Sequence, residues 1–379
     1  MPEEKVELRR GLRDVYIDST RSSLIDGKAG KLLYRGYNIH DLAEKSTFEE
    51  TVYLLLYGEL PTKEQLQSID EELRANRRLP GEILELIKLT KNAHPMDALR
   101  TAVSGLAAFD PDVSDNSIEA TLHKGIRLTA QAPTIVAAHA RIREGNDPVE
   151  PDDELTHAAN FLHMLFNLVP EPEDSRLIDK DFVLHAEHGV NASAFGARVA
   201  ASTLADLHSA VTTGIAVLKG PQHGGAAEKV MEMALEIGNE ENAESYVREQ
   251  LSQGGRVMGF GHRVYKAVDP RSIHLQDDLK VLGERKGQPK WYSILQEVVK
   301  VMQPYSQKGI CQNVDFFSGS IYYLMGIPDD LFISIFAMGR VPGWTVQVME
   351  QFEKNILLRP RLLYEGPMDL EYRPIEERS

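Results

Sequence analysis

Cysteine is almost absent from this chain of 379 residues: Cys311 is the only one. No disulfide can form within the chain, and such usage is expected of a cytoplasmic protein in a reducing compartment. A long apolar run is missing too. The longest stretch without a charge, 155–170, has 16 residues and carries two histidines, two asparagines and a proline. It is too short and too polar to cross a bilayer, so no membrane partner is expected. MPEEKVELRRGL at the N-terminus has no apolar core, and no secretory leader is expected from it. Positive charge is in deficit, with 42 Lys+Arg against 57 Asp+Glu and a net charge of −15. A chain this acidic is a poor partner for nucleic acid, and an anionic ligand would need arginines gathered locally. Strand signals are few, and no repeat or low-complexity tract is visible.

What remains is helix after helix. The length suits one large domain or two, and the 26% charged and 42% hydrophobic residues suit a globular protein. Ser46-Thr47-Phe48-Glu49 reads as a capping box opening a helix that ends at Gly58, and Thr62-Lys63-Glu64-Gln65 reads as another. Ala226 to Ile237 places Val230, Met233, Ala234 and Ile237 on one face and stops at Gly238; Lys290 to Met302 behaves alike. Segment 192–218, proline-free and rich in Ala, Ser and Thr, predicts a helix buried among others. The best strand signal is SSLIDGKAGKLLYRG at 22–36, a small hairpin turning at Asp26-Gly27 and Gly30. The fold class is all-α with one minor hairpin.

Four stretches carry chemistry. RVMGFGHRVYKAVDPR (256–271) lacks the third glycine of a dinucleotide fingerprint, Val264 standing there, and lacks the Gly-Lys-Ser/Thr of a phosphate loop. Asp269 followed by Pro270 starts a helix. Gly259 to Val268 is therefore a loop with free backbone groups, and Arg271 can point back toward His262. KGPQHGGAAEKV (219–230) puts His223 near a helix N-terminus, where the dipole favours a neutral ring able to donate a hydrogen bond; a plain capping role is the simpler reading. In GICQNVDFFSGS (309–320), Asp315 stands among Val314, Phe316 and Phe317, whose apolar surroundings strengthen a base; an N-cap or buried ion-pair role is the alternative. HAEHGVNAS (185–193) offers His185 and His188 on one helix face, but no cysteine or carboxylate completes a zinc pattern, and no metal is expected.

HAEHGVNAS, GPQHGG, GFGHRVYKAVDPR, NVDFFSG, GRVPGWTVQVMEQ and ILLRPRLLYEGP occur here in the order found in citrate synthase. The likeness extends from RRGLRDV and LLYRGYNI through HPMDALRTAVS to YRPIEERS and resembles the shorter bacterial and archaeal type. The resemblance implies a two-domain helical fold and a homodimer. It implies a large domain of residues 1–222 and 327–379 with a small one, 223–326, inserted. His223, His262 and Asp315 match the acid–base set, and His188, Arg271 and Arg340 match the ligands of oxaloacetate and citrate. Arg359 matches the arginine that reaches the neighbouring subunit's site. Arg256, Val257, Met258, Gly259, Phe260 and Gly261 match the segment whose backbone meets the adenine of coenzyme A, and Lys266 matches a phosphate-contacting cation.

The implied partners are thus oxaloacetate and acetyl-CoA, the latter a substrate, with no metal or redox cofactor. Gln222 replaces a usual leucine, Cys311-Gln312 a usual Tyr-Pro, Phe317 a tyrosine and Val346-Gln347 a usual Ala-His; none removes a catalytic group. Two other readings stand beside this one. 2-Methylcitrate synthase uses the same machinery with propionyl-CoA, and one methylene is worth only about 1–3 kcal/mol in an acyl pocket. A metal-dependent hydrolase would be built on His185, His188, His223 and Asp315.

Overall fold

The computed structural model describes residues 7–12 and 15–378. Residues 1–6 of the charged N-terminal stretch, and Arg13 and Asp14 of RRGLRDV, lie outside the described residues.

The hairpin forms where the turn residues predict it. Strand β1 (Ser23–Asp26) pairs antiparallel with β2 (Lys31–Tyr34), Ser23 facing Tyr34 and Asp26 facing Lys31; a short β3 (Tyr37–Asn38) adds a third strand. Asp26 accepts from the N–H groups of Lys28 and Ala29, both at 3.0 Å, which closes the turn.

Sixteen α-helices follow among the described residues. The first group is α1 (Ile39–Lys45), α2 (Phe48–Tyr57), α3 (Lys63–Ala75), α4 (Gly81–Leu89), α5 (Pro95–Leu106) and α6 (Ile118–Arg143). Next come α7 (His157–Phe166), α8 (Pro172–His185), α9 (Ala192–Ser202) and α10 (Leu207–Leu218). The third group is α11 (Ala226–Ile237), α12 (Ala243–Ser252), α13 (Pro270–Arg285), α14 (Lys290–Ser306) and α15 (Asp315–Leu324), before α16 (Phe332–Glu353).

Thr62 and Gln65 form the reciprocal capping box of α3, at 3.3 and 2.8 Å. At α2 the cap is Thr47, which accepts from Glu50 N–H at 3.2 Å; Ser46 is instead the C-cap of α1, its N–H bonded to Leu42. The 192–218 stretch is two helices, not one. Leu204 takes a left-handed φ of 65°, and Asp206 caps α10 by accepting from Ser209 N–H at 2.9 Å. The small residues serve close approach between the two halves: a Cβ on Gly196 would stand 3.0 Å from Val217.

Helix α16 is the axis of the fold. The segment Asp329–Glu353 is apolar and long enough to cross a membrane, but its most apolar 18-residue stretch is buried, and the helix packs on α2, α6, α8, α9 and α10. Its Gly343 lies so near α8 that a Cβ would come within 2.1 Å of Ala186 O. Helices α11, α13, α14 and α15 pack chiefly on one another, and α12 packs on α14. These five helices meet the rest of the fold where α13 touches α1 and α8, and where α11 touches α16.

Candidate active site

Three histidines from three distant stretches converge where these groups meet. His188 follows the end of α8. It is therefore not on a helix face with His185, which is the last residue of that helix. The His188 ring is buried, its Nε2 lies 3.2 Å from Tyr265 OH, and burial, then the Arg271 charge, hold its pKa well below the ordinary imidazole value.

His262 sits in the expected loop, its ring edge-on to His188 with centroids 5.3 Å apart. Its Nδ1 accepts the N–H groups of Val264 and Tyr265, both at 3.0 Å. Nδ1 is thus a fixed acceptor, and the neutral ring carries its proton on Nε2, free to donate. Burial and the nearby Arg271 push its pKa down to about 4.

His223 lies in the turn before α11, as the Gly-Gly predicts. Ser193 surrounds its Nε2, with N–H at 3.3 Å and Oγ at 3.0 Å, and Asn191 Oδ1 lies at 3.2 Å. Ser193 Oγ in turn accepts from Trp344 Nε1–H at 3.1 Å. In the tautomer in which Nε2 accepts from Ser193 N–H, the neutral ring presents Nδ1–H. Burial, then Arg340, lower its pKa to about 4.

Asp315 opens α15, and its carboxylate has no hydrogen-bond or ion-pair partner among the described residues. Burial raises its pKa to about 6 against the opposing pull of His185 and Arg271. The segment leading to it is zipped onto the histidine loop. Phe260 pairs with Gln312, Gly261 N–H donates to Cys311 O at 2.8 Å, and Asn313 N–H donates to Gly259 O at 2.9 Å. Gly259 is required here: its φ is 74°, and a Cβ would stand 2.6 Å from Phe316.

Two buried arginines stand near the histidines. Arg271 forks onto Asp269, Nε to Oδ1 at 3.0 Å and NH2 to Oδ2 at 2.7 Å, both residues buried. Asp269 is also the predicted N-cap, accepting from Arg271 N–H at 3.1 Å. Arg340 donates Nε–H to His185 O at 2.5 Å, while NH1 and NH2 are buried with no partner. Burial lowers its pKa to about 10. Two unused donors on a buried cation match an anionic ligand's oxygens. Of the segment expected to meet the nucleotide, Val257 and Gly259 are buried, Met258, Phe260 and Gly261 half-buried, and Arg256 and Lys266 exposed. Arg359 is not brought to this site; it lies exposed on the extended segment after α16.

The family description "Citrate synthase, C-terminal domain" matches residues 11–361. Citrate synthase of Haloferax volcanii is 45% identical, over 98% of this chain and 99% of that protein. The chain belongs to the citrate synthase family. 2-Methylcitrate synthase 1 of Corynebacterium glutamicum is 41% identical, over 98% of this chain and 99% of its own length. A ternary complex of carboxymethyl coenzyme A and oxaloacetate with the citrate synthase of Thermoplasma acidophilum superposes with a TM-score of 0.94 at 32% identity, covering 98% of this chain and all of that one. This enzyme therefore shares the all-α architecture of a family that transfers an acyl group in forming citrate.

Within the citrate synthase frame, the departure at position 347 keeps a buried polar network. Gln347, standing for the usual histidine, donates Nε2–H to Glu187 Oε1 at 2.8 Å and to Ser22 Oγ at 3.0 Å, and its Oε1 accepts from Arg198 at 2.9 Å. Glu187 itself was invisible as a site residue, being one acidic letter inside HAEHGVNAS. It is fully buried behind His188, and burial lifts its pKa to about 7 against the Arg340 charge. Asn191, Ser193 and Tyr265 were missed likewise, because nothing in sequence spacing places them against His223 and His188. The residues of the metal-hydrolase reading do not gather. Among the described residues the one tight donor group is His188, His262 and Asp269, and both Asp269 oxygens are taken by Arg271.

Proposed function

We propose that this chain condenses acetyl-CoA with oxaloacetate and hydrolyses citryl-CoA to citrate and free CoA. The observation that carries the proposal is an unpartnered carboxylate, lifted to about 6, at the end of a segment paired with the His262 loop, in a fold where His262 and His223 are held near 4. At neutral pH the carboxylate is a ready base and the rings are neutral donors. Asp315 takes a methyl proton from acetyl-CoA while His223 Nδ1–H bonds the thioester oxygen, so charge gathers on a stabilised enol. The enol carbon then forms the new C–C bond to the ketone carbon of oxaloacetate, whose oxygen takes the proton of His262 Nε2–H. Water cleaves the thioester. Arg340, Arg271 and His188 hold the carboxylates, the 256–261 loop receives the nucleotide, and Lys266 meets its phosphates. Every step runs on these side chains, so we propose no metal or redox cofactor. The test is thiol release with and without oxaloacetate, offering acetyl-CoA or propionyl-CoA in excess chelator. Oxaloacetate-dependent release with acetyl-CoA, yielding citrate, supports the reading. A clear preference for propionyl-CoA would move the chain to 2-methylcitrate synthesis, and loss of activity to chelator would sink the metal-free mechanism.

The proposal extends to assembly. Residues 223–326 act as a small domain closing on 1–222 and 327–379, in line with the mutual packing of α11 to α15. The enzyme works as a homodimer in the cytoplasm, the latter in keeping with its single, buried cysteine. Support for the dimer comes from the segment after Lys354, which exposes Leu362, Tyr364, Leu370 and Tyr372 and carries Arg359 away from its own site. An apolar arm of this kind needs a surface to cover it. Mixing Arg359→Ala subunits with His262→Ala subunits is expected to regenerate activity, because each hybrid holds one site with neither defect. Verified hybrids as inactive as both parents would mean that Arg359 serves no neighbouring site.

A further inference from the structure

Among the described residues the hairpin and β3 make the one sheet, and the hairpin touches the segments that carry His188 and His262. Its root holds the stretch around His188. Ser23 Oγ–H donates to Glu187 Oε1 at 3.0 Å, and Tyr34 OH donates to Leu184 O and accepts from Glu187 N–H, both at 3.2 Å. A Cβ on Gly189 would stand 3.1 Å from Ile25. Its tip rests on the loop that follows His262. Gly27 O accepts from Lys266 N–H at 2.8 Å. A Cβ on Gly27 would lie 2.3 Å from Val264 O and 2.8 Å from Val264 C, backbone atoms with no side-chain freedom to yield. A Cβ on Gly30 would stand 3.1 Å from Val268 O. Val264 and Tyr265 are the residues whose N–H groups fix His262 Nδ1.

We infer that Gly27 is a positioning residue: the Asp26–Gly30 turn seats the 264–268 loop, and through it sets the orientation of His262 relative to His188. The inference rests on the role proposed for His262. The hairpin spans the gap because its root is fixed by Glu187 and Leu184 while its tip presents a carbonyl, unobstructed by a side chain, to Lys266. Only glycine lets that carbonyl reach the loop. Any side chain at 27 pushes Val264 away, loosens both N–H bonds to His262 and leaves the His188 segment where it was. On the two-domain reading the tip contact forms as the domains close.

The experiment is Gly27→Ala, assayed with oxaloacetate and acetyl-CoA and followed by nitrogen NMR of the histidine rings, with His262 identified by its loss in His262→Asn. We expect kcat lower by at least about 10-fold, toward the roughly 10²-fold that a misplacement near 1 Å causes. Oxaloacetate binding should stay within a few-fold and the melting temperature near that of the parent. The His262 ring should titrate above its parent value of about 4, toward an ordinary imidazole. Asp26→Ala, which adds no atom and removes only the two turn hydrogen bonds of an exposed side chain, should show the same signature more weakly. It decides the matter if the first variant fails to fold. Turnover within threefold of the parent, or lost turnover with His262 titration unmoved, overturns the inference. The NMR arm needs no substrate, so it fails or succeeds separately from the citrate synthase reading.

Discussion

Replacing Asp315 by Asn is expected to lower kcat by roughly 10²–10⁴-fold, the usual contribution of a positioned general base, while raising the melting temperature at neutral pH. The two effects have one cause. The carboxyl titrates at about 6 in the folded chain against a reference of 3.8, so folding favours the protonated form. Its contribution to stability is fully present below the reference value and is lost as pH rises through about 6. At neutral pH the folded protein holds an ionised, unpartnered carboxylate that an amide of the same shape relieves. Oxaloacetate should still bind, because its proposed ligands are His188 and the arginines. A variant retaining more than about a tenth of turnover, roughly 1.4 kcal/mol of barrier, would remove Asp315 from the role of base. A lowered melting temperature would contradict the burial argument instead.

The second large effect is expected at Arg340. In Arg340→Gln, oxaloacetate loses a buried, charge-assisted fork, an effect of about 2–5 kcal/mol when one partner of such a pair is truncated. At about 1.4 kcal/mol per factor of ten, the oxaloacetate KM should rise at least about 30-fold. The fold should tolerate the change. NH1 and NH2 have no hydrogen-bond partner to abandon; the change removes the bond from Nε to His185 O, the contact over the Phe336 ring and the charge facing Glu187. Calorimetric titration of oxaloacetate and a thermal melt check both halves. An unchanged KM would show that the two free donors face something other than the substrate.

Much of the fold was legible because its signals are local. Thr62 and Gln65 close their capping box with no help from the rest of the chain, and the apolar face of Ala226–Ile237 ends at Gly238 as written. The break at Leu204 was not legible from composition. Leu204 carries no turn signal, and Asp206 reads as a helix cap only once the chain is known to stop there. The candidate histidines and Asp315 stood out by their motifs. Their supports did not, since Ser193 acts on His223 across 30 positions and Tyr34 meets Glu187 across 153. Asp269 was read as a cap alone, and the structure gives the same carboxylate a second task on Arg271. The hairpin was recognised as a shape, but contacts at its two ends, to residues far along the chain, give it a purpose.

The most direct measurement of the central claim is the pH dependence of kcat/KM for acetyl-CoA at saturating oxaloacetate. The site holds an unpartnered carboxylate, the proposed base, at about 6 and two imidazoles near 4. A plateau above neutrality is therefore expected, with a one-proton fall whose midpoint lies at about 6 and which steepens only as the imidazoles begin to charge. Asp315→Glu, if active at all, should shift that midpoint while leaving the steeper region in place. A profile that stays flat through 6 and falls first near 4 would contradict the account, because the step limiting acid activity would then be protonation of a histidine and not of Asp315.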